Sequence, residues 1–461
     1  MVAASAQPGS GARDPVRLRA LVPGTASARV ESLPGAGRRV VTVRIDPAHR
    51  RGALGAQDSA TVAEAARLAL SQRIPLLVIM ASSGADVFEG VSALHGWGSA
   101  ALALCECSGV VPIVFVTVGL ALSGPALLLG LADIVVMTPE AVAYVSGPAA
   151  VAQWTGQQLA PATLGGLPVH DRRTGVAALT AADELGAVEA VAALLEHLPD
   201  HADSLAPTVP TADPPGRQVP QLRKLIPLSA TGSYDVRDVV AAVADDGDFL
   251  ELRARWAPQL VTGLTRVGGT SVGVVANQPQ AMAGTLDIAA SQKGARFVSF
   301  CDSFNVPLLT LVDTPGFMPG KDLEWRGMIR HGAELVFAYA AAQVPRVCLV
   351  LRKAFGGAYI VMDSKGMAND LCLAWPSAQI AVMGAQGAVQ ILHRREDEVT
   401  QARLAEAYEE EYLNPYVAAA RGYVDQVIDP ADTRAAIVAG LRMLVGKRET
   451  LISRKHSNGP L

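Results

Sequence analysis

The sequence contains no C-x-x-C pair, and its five cysteines (Cys105, Cys107, Cys301, Cys348 and Cys372) are scattered. That spacing excludes a zinc ribbon and a disulfide framework, and leaves free thiols of the kind found in the cytoplasm. The eight histidines form no H-x-x-x-H pair and no cluster with carboxylates, so no metal site is expected. Charge is sparse: 18% of residues are charged, the net charge is −4, and there is no long basic run. Nucleic acid is therefore excluded as a partner. Residues 1–15 lack the apolar segment of a signal peptide, and they read as a disordered tail on a cytoplasmic protein. Long uncharged runs are also rare. The one that stands out, 110–137, carries only Asp133 as a charge and is long enough to span a bilayer. Its β-branched first half and central Ser-Gly-Pro fit a buried strand, a turn and a short helix instead, so no membrane span is expected.

What the chain has is length and aliphatic residues. At 461 residues, 50% hydrophobic and only 5% aromatic, it suits two α/β domains of about 200 residues each. The stretch 203–220 holds five prolines and almost no large apolar residue, as an interdomain linker would. The expected division is a tail at 1–15, a first domain at 16–202, a linker at 203–221 and a second domain at 222–461.

The two halves repeat one another. "IPLLVIMASSGA" (74–85) matches "VPLLTLVDTPGF" (306–317), and Pro75 to Gly84 spans 9 residues, as does Pro307 to Gly316. Pro75 to Pro112 is 37 residues against 38 for Pro307 to Pro345, and Pro112 to Gly124 and Pro345 to Gly357 are both 12. Three matched spacings point to an internal duplication. Apolar runs alternate with helical stretches such as "TVAEAARLALSQ" (61–72), which implies βα units and parallel strands. Ligands in such folds sit beyond the carboxyl ends of the strands, so duplication predicts two similar sites.

The second copy runs from a buried strand through Arg352 and Lys353 into Phe-Gly-Gly-Ala-Tyr, which has no acid, nucleophile or metal ligand. Glycine permits positive φ and close approach to the main chain. A strand that enters Gly-Gly and then a helix leaves the first amides of that helix unpaired. Two amides aimed at one point form an oxyanion hole, which needs no reactive side chain.

The second half resembles the carboxyltransferase (beta) subunits of biotin-dependent acyl-CoA carboxylases, of the acetyl- and propionyl-CoA carboxylase type. The residues that carry the likeness are "DTPGFMPG" (313–320), "IRHGAELVFAYAAAQVPRV" (329–347), "RKAFGGAYIVMDSKGM" (352–367), "AWPSAQIAVMGAQGAVQILHRRE" (374–396) and "RGYVDQVIDPADTR" (421–434). The first half resembles the family in register through "SSGADVFEGVSALHGWG" (82–98), "ADIVVMTPE" (132–140), "VSGP" (145–148) and "LGG" (164–166). The resemblance implies two tandem crotonase-like domains in a ring-shaped hexamer. It also implies transfer of a carboxyl group from carboxybiotin to the α-carbon of a short acyl-CoA, giving malonyl- or methylmalonyl-CoA. On this reading the amides of Gly357 and Ala358 hold the ureido oxygen of biotin, and the turn Ser123–Gly124 holds the thioester oxygen of CoA. Gly356, Tyr359 and Ile360 around the second turn, and Gly84, Ala85 and Arg51 around the first, complete the substrate-binding set. No protein base is implied, because the N1′ of biotin can take the α-proton. The sequence has no Met-Lys-Met for biotin attachment. The implied partner is therefore an alpha subunit that carries biotin carboxylase and biotin carboxyl carrier functions, in a homo-hexamer or mixed hexamer.

The chain departs from the family at several places. Ser123–Gly124 stands where the family has Gly-Gly, and Pro125, which has no N–H, follows. "SSGAD" (82–86) replaces S-G-G-A-R, which puts Asp86 where an arginine would meet CoA phosphates. Arg51, beside Arg50, is the cation expected to offset it. Ile360 occupies the position that shapes the acyl pocket and matches members accepting both acetyl- and propionyl-CoA. Asp313 is expected to shape a turn. Two other readings fit the same residues: decarboxylation of a malonyl- or methylmalonyl-thioester, and a weakly active structural subunit of a mixed hexamer.

Overall fold

The computed structural model describes residues 24–34, 37–227, 229, 232–447, 449 and 451–460. The tail assigned to 1–15 lies outside the described residues. The uncharged run 110–137 breaks where its composition changes. Its β-branched half forms a strand, Ile113–Leu122, Pro125 enters the first turn of a 3-10 segment Gly124–Leu131, and Ile134–Met137 forms a second strand. Among the described residues no helix is long and apolar enough to cross a membrane.

Strands are numbered β1 (Ala26–Ser32), β2 (Arg39–Ile45), β3 (Ala53–Leu54), β4 (Leu76–Ser82), β5 (Gly84–Ala85), β6 (Ile113–Leu122), β7 (Ile134–Met137), β8 (Val142–Tyr144) and β9 (Leu179–Thr180) in the first half. The second half holds β10 (Phe249–Leu252), β11 (Leu260–Val267), β12 (Thr270–Asn277), β13 (Leu308–Thr314), β14 (Arg346–Phe355), β15 (Leu371–Ala374), β16 (Gln379–Ala381) and β17 (Gln426–Val427). The first sheet runs β1-β2-β4-β6-β7-β9 with β8 beside β6, and the second runs β10-β11-β12-β13-β14-β15-β17 with β16 beside β14. Each opens with antiparallel pairing (β1–β2; β10–β11 and β11–β12) and continues in parallel, as the βα alternation requires.

The duplication holds residue by residue. Val41 faces Leu76 as Gly273 faces Leu308, both members shifted by 232 residues. The central pairings, β4–β6 and β13–β14, each slip in register at the same place, between Met80 and Ser82 and between Val312 and Thr314. Such bulges re-aim a strand end. Three consecutive residues with positive φ also recur, Arg50, Arg51 and Gly52 in one copy and Met282, Ala283 and Gly284 in the other. Both triplets press a glycine against a bulge carbonyl: a Cβ on Gly52 would lie 1.9 Å from the oxygen of Ala81, and one on Gly284 2.5 Å from that of Asp313.

The two sheets share a core. Val40, Leu77, Ile79, Val114 and Val116 of the first pack in one cluster with Leu260, Leu264, Phe297 and Val298 of the second half. The proline-rich stretch lies along the second copy: Val209 donates to the Gly269 carbonyl (2.9 Å) and Ser271 to that of Pro207 (3.1 Å). Asp213 pairs with the fully buried Arg434 (3.3 Å).

His197 is buried beyond the helix Glu184–Leu195 of the first half, and Arg266 of β11 is among the charges that act on it. Burial, with Arg266 second, pushes its imidazole down to about 4. The folded chain thus holds this histidine neutral while the unfolded chain protonates it near 6.5, so stability is present above that value and lost as pH falls from about 6.5 towards 4. His197→Gln is expected to flatten that part of the stability–pH curve. Parallel curves for parent and variant in denaturant titrations between pH 7 and 4 would contradict this.

Candidate functional site

Each copy brings a glycine-bearing turn to the carboxyl end of its central strand. In the second copy β14 ends at Phe355, Gly356 takes φ +58°, and the helix Gly356–Val361 begins. The amides of Gly357 and Ala358 have no acceptor among the described residues, as expected for the first turn of a helix. Ile360 is 44% exposed at the mouth of the turn. Tyr359 is 8% exposed and belongs to the core cluster with Cys348 and Cys372. Neighbouring helical residues face different ways, so Tyr359 packs beneath the turn while Ile360 stands open. Burial raises its phenol far above the ordinary range.

A buried network fixes this strand end. Asp313 accepts from Tyr234 Oη (2.9 Å) and Arg352 Nε (3.0 Å) on Oδ2, and from the Lys353 amide (3.1 Å) on Oδ1. Arg352 also donates to the Gly232 carbonyl (2.7 Å). Burial pushes the Asp313 carboxyl up, against the pull of Arg352. Asp313 thus holds the bulge that delivers β14 into Gly356, which agrees with a turn-shaping role. At the equivalent place in the first copy, Ala81 meets Gly119, whose added Cβ would lie 3.3 Å from the alanine methyl. The pairing of Tyr234 and Arg352 with Asp313 escaped the sequence reading, since it joins residues 79 and 39 positions from Asp313.

The first turn is built differently. Ser123 takes φ +62° and ψ −149°, matching the positive φ of Gly356 with a non-glycine residue. Its amide donates to the Tyr144 carbonyl of β8 (3.0 Å). That corrects the expectation for Ser123: the donor assigned to the oxyanion hole is spent in the sheet. Gly124 is the register partner of Gly357, and its amide has no acceptor among the described residues. Pro125 is the partner of Ala358 and has no amide hydrogen. The first turn therefore offers one free amide where the second offers two. Trp97 closes one side of it; a Cβ on Gly124 would lie 3.0 Å from the indole, so a larger residue there would need the Trp97 ring to shift. Gly84 takes φ +110°, and an added Cβ would lie 3.1 Å from that of Ser123, so Gly84 and the Ser123 turn are in contact. Ala85 is half-buried one residue on.

The charges near this turn also require a correction. β3 and β5 pair in parallel, Ala53 with Gly84 and Leu54 with Ala85, which sets the 50–52 turn beside Asp86. Arg50, not Arg51, reaches the Asp86 carboxylate. Asp86 is 3% exposed and accepts the Phe88 amide as well (2.9 Å). Arg51 is exposed, with φ +55°, and forms no salt bridge among the described residues. Asp86 is thus a neutralised, structural carboxylate instead of an open negative charge. No group of three or more potential metal ligands gathers among the described residues.

Comparison with known proteins gives a consistent result. The family model described as the carboxyl transferase domain matches residues 34–459. The propionyl-CoA carboxylase beta chain of Saccharopolyspora erythraea is 44% identical over 444 residues, covering 92% of this chain and 81% of that one. The methylmalonyl-CoA decarboxylase subunit alpha of Veillonella parvula is 40% identical over 426 residues, covering 92% and 83%. Among solved structures, the transcarboxylase 12S hexamer with methylmalonyl-coenzyme A and methylmalonic acid bound superposes with a TM-score of 0.92 at 41% identity, covering 95% of this chain and 85% of that one.

Proposed function

The chain belongs to the carboxyl transferase family, and on that premise we propose that it moves a carboxyl group between biotin and the α-carbon of a short acyl-CoA. It is a biotin-dependent acyl-CoA carboxyltransferase with two tandem crotonase-like domains, and CoA thioesters are its substrates. The observation that carries the site assignment is the matched pair of turns, each with free amide hydrogen at a strand end.

Removal of the α-proton moves an electron pair onto the thioester oxygen. The Gly124 amide donates to that oxygen, and the charge it meets there is largest in the transition state. At the second turn the Gly357 and Ala358 amides take the ureido oxygen. When bound, biotin supplies the nitrogen that carries the carboxyl group and accepts the proton. The division into domains at 16–202 and 222–461, joined by 203–221, assigns the acyl-CoA turn to the first and the biotin turn to the second. Exposed apolar side chains follow Gly84 of the first copy in sequence, Val87 and Phe88, and Ile360 and Val382 lie at the second turn. We read them as faces covered when subunits assemble as a hexamer and a biotin-carrying alpha subunit docks.

Of the two departures that motivated the structural-subunit reading, the Asp86 charge is matched by Arg50, whereas Pro125 still leaves the first turn one amide short. The same turns serve decarboxylation by reversal of the transfer, and no feature of the site favours that direction. The test is transfer from methylmalonyl-CoA to free biotin by the purified assembled protein: biotin-dependent formation of propionyl-CoA supports the assignment, and its absence in a protein that binds methylmalonyl-CoA contradicts it.

Two substitutions test the details. Arg50→Ala would unmask the Asp86 carboxylate beside the CoA phosphates and is expected to raise KM for acyl-CoA several-fold, within the roughly 1.5–3 kcal/mol of a charged hydrogen bond. Asp86→Asn in the same chain should restore it; an unchanged KM in Arg50→Ala would show that CoA binds elsewhere. Ile360→Asp makes the acyl pocket polar and should shift the acetyl-CoA to propionyl-CoA ratio of kcat/KM by about tenfold against acetyl-CoA, of the order one methylene can discriminate. An unaltered ratio would put Ile360 outside the pocket.

A further inference from the structure

The two turns differ by one donor. Gly357 and Ala358 supply two amides, whereas their register partners Gly124 and Pro125 supply one. The residue before them differs as well. Ser123 holds φ +62° and ψ −149°, a region that is almost exclusive to glycine and strained for a residue with a Cβ. Glycine fills the matching place in the second copy. Such strain is enforced by the surrounding structure and clusters at active sites and ligand clamps. Ser123 is exposed, and its hydroxyl has no hydrogen-bond partner among the described residues. Its Cβ stands over Gly84, within the substrate-binding set expected for this copy. The Trp97 indole nitrogen, which also lies against Gly124, is fully covered and has no partner among the described residues.

We propose that the Ser123 hydroxyl donates the second hydrogen bond to the thioester oxygen, in place of the amide that Pro125 lacks. The inference rests on the functional reading above, in which this turn receives acyl-CoA. No bond to serine forms: the hydroxyl keeps its proton and shares it with the oxygen on which charge accumulates. Side-chain hydroxyls serve this purpose in other oxyanion holes, and removing one such donor lowers turnover by roughly 10²–10³.

The test uses the full-length assembled protein, methylmalonyl-CoA as carboxyl donor and free biotin as acceptor. Ser123→Gly removes the hydroxyl and relieves the backbone, and Ser123→Ala removes the hydroxyl and keeps the strain. Both are expected to lose about 10² in kcat, with calorimetric affinity for methylmalonyl-CoA unchanged within about twofold. Ser123→Gly should melt at or above the parent temperature, an outcome that a merely structural serine would not combine with lost turnover. Parental kcat in Ser123→Gly would overturn the inference and leave the functional reading standing. An acylated Ser123 in intact-mass spectra would also overturn it, since the residue would then be a nucleophile. A parent protein that does not bind methylmalonyl-CoA would remove both the functional reading and the inference.

Discussion

Ala358→Pro is expected to lower the rate of carboxyl transfer by roughly 10²–10³, the cost of losing one oxyanion donor. The substitution deletes the second amide of the turn proposed to hold biotin and leaves that of Gly357. The chain itself shows that such a turn accommodates proline, because Pro125 occupies the matching place in the first copy, in the first turn after β6. Ala358→Gly keeps the amide and should retain most of the activity. A thermal melt separates catalysis from folding. A folded Ala358→Pro protein with parental turnover would remove the second turn from the reaction.

Arg346→Met should produce the largest loss of stability, about 3–5 kcal/mol. Arg346 stands at the start of β14 and is almost fully buried, as is its partner Asp363, 2.7 Å away. It also donates to the carbonyls of Tyr339 (3.1 Å), Met367 (3.1 Å) and Ala368 (2.7 Å). One guanidinium thus ties the beginning of β14 to the segment that follows the Gly356–Val361 helix, clamping both sides of the second turn. Methionine fills similar volume but leaves the Asp363 carboxylate and the Met367 and Ala368 carbonyls without their donor, while the Tyr339 carbonyl keeps the Ala342 amide. Arg346→Met/Asp363→Leu should recover part of the loss, because it removes the stranded charge. A single variant less than about 1 kcal/mol from the parent in denaturant unfolding would show that water or another group satisfies the site.

The duplication was legible because prolines and glycines punctuate strands and turns at fixed distances, and the Pro75/Pro307 and Gly124/Gly357 spacings survive in the sheets. The position of a glycine turn with free amides at the end of β14 was legible for the same reason. Other features depend on contacts that no local pattern encodes. Arg50 and Arg51 are chemically equivalent in sequence, and only the short β3–β5 pairing decides that Arg50 reaches Asp86. The Ser123 amide looked free because β8, the three-residue strand that engages it, carries little signal of its own. Of the two triplets with positive φ, only Gly52 and Gly284 announce themselves; Arg50, Arg51, Met282 and Ala283 adopt that conformation because the glycine must reach the bulge carbonyl. Trp97 under Gly124, 27 positions away, follows from the packing of the helix Val91–Cys107 against the 3-10 segment and from nothing in the motif.

The central claim is that this chain performs the transfer half-reaction and receives its biotin from another protein. The most direct measurement is ATP- and bicarbonate-dependent carboxylation of propionyl-CoA by the purified chain, alone and with a biotinylated alpha subunit. The account predicts no methylmalonyl-CoA from the chain alone and its steady formation once the biotinylated partner is added. Carboxylation by the isolated chain, or none with a competent partner in an assembly that binds propionyl-CoA, would contradict it.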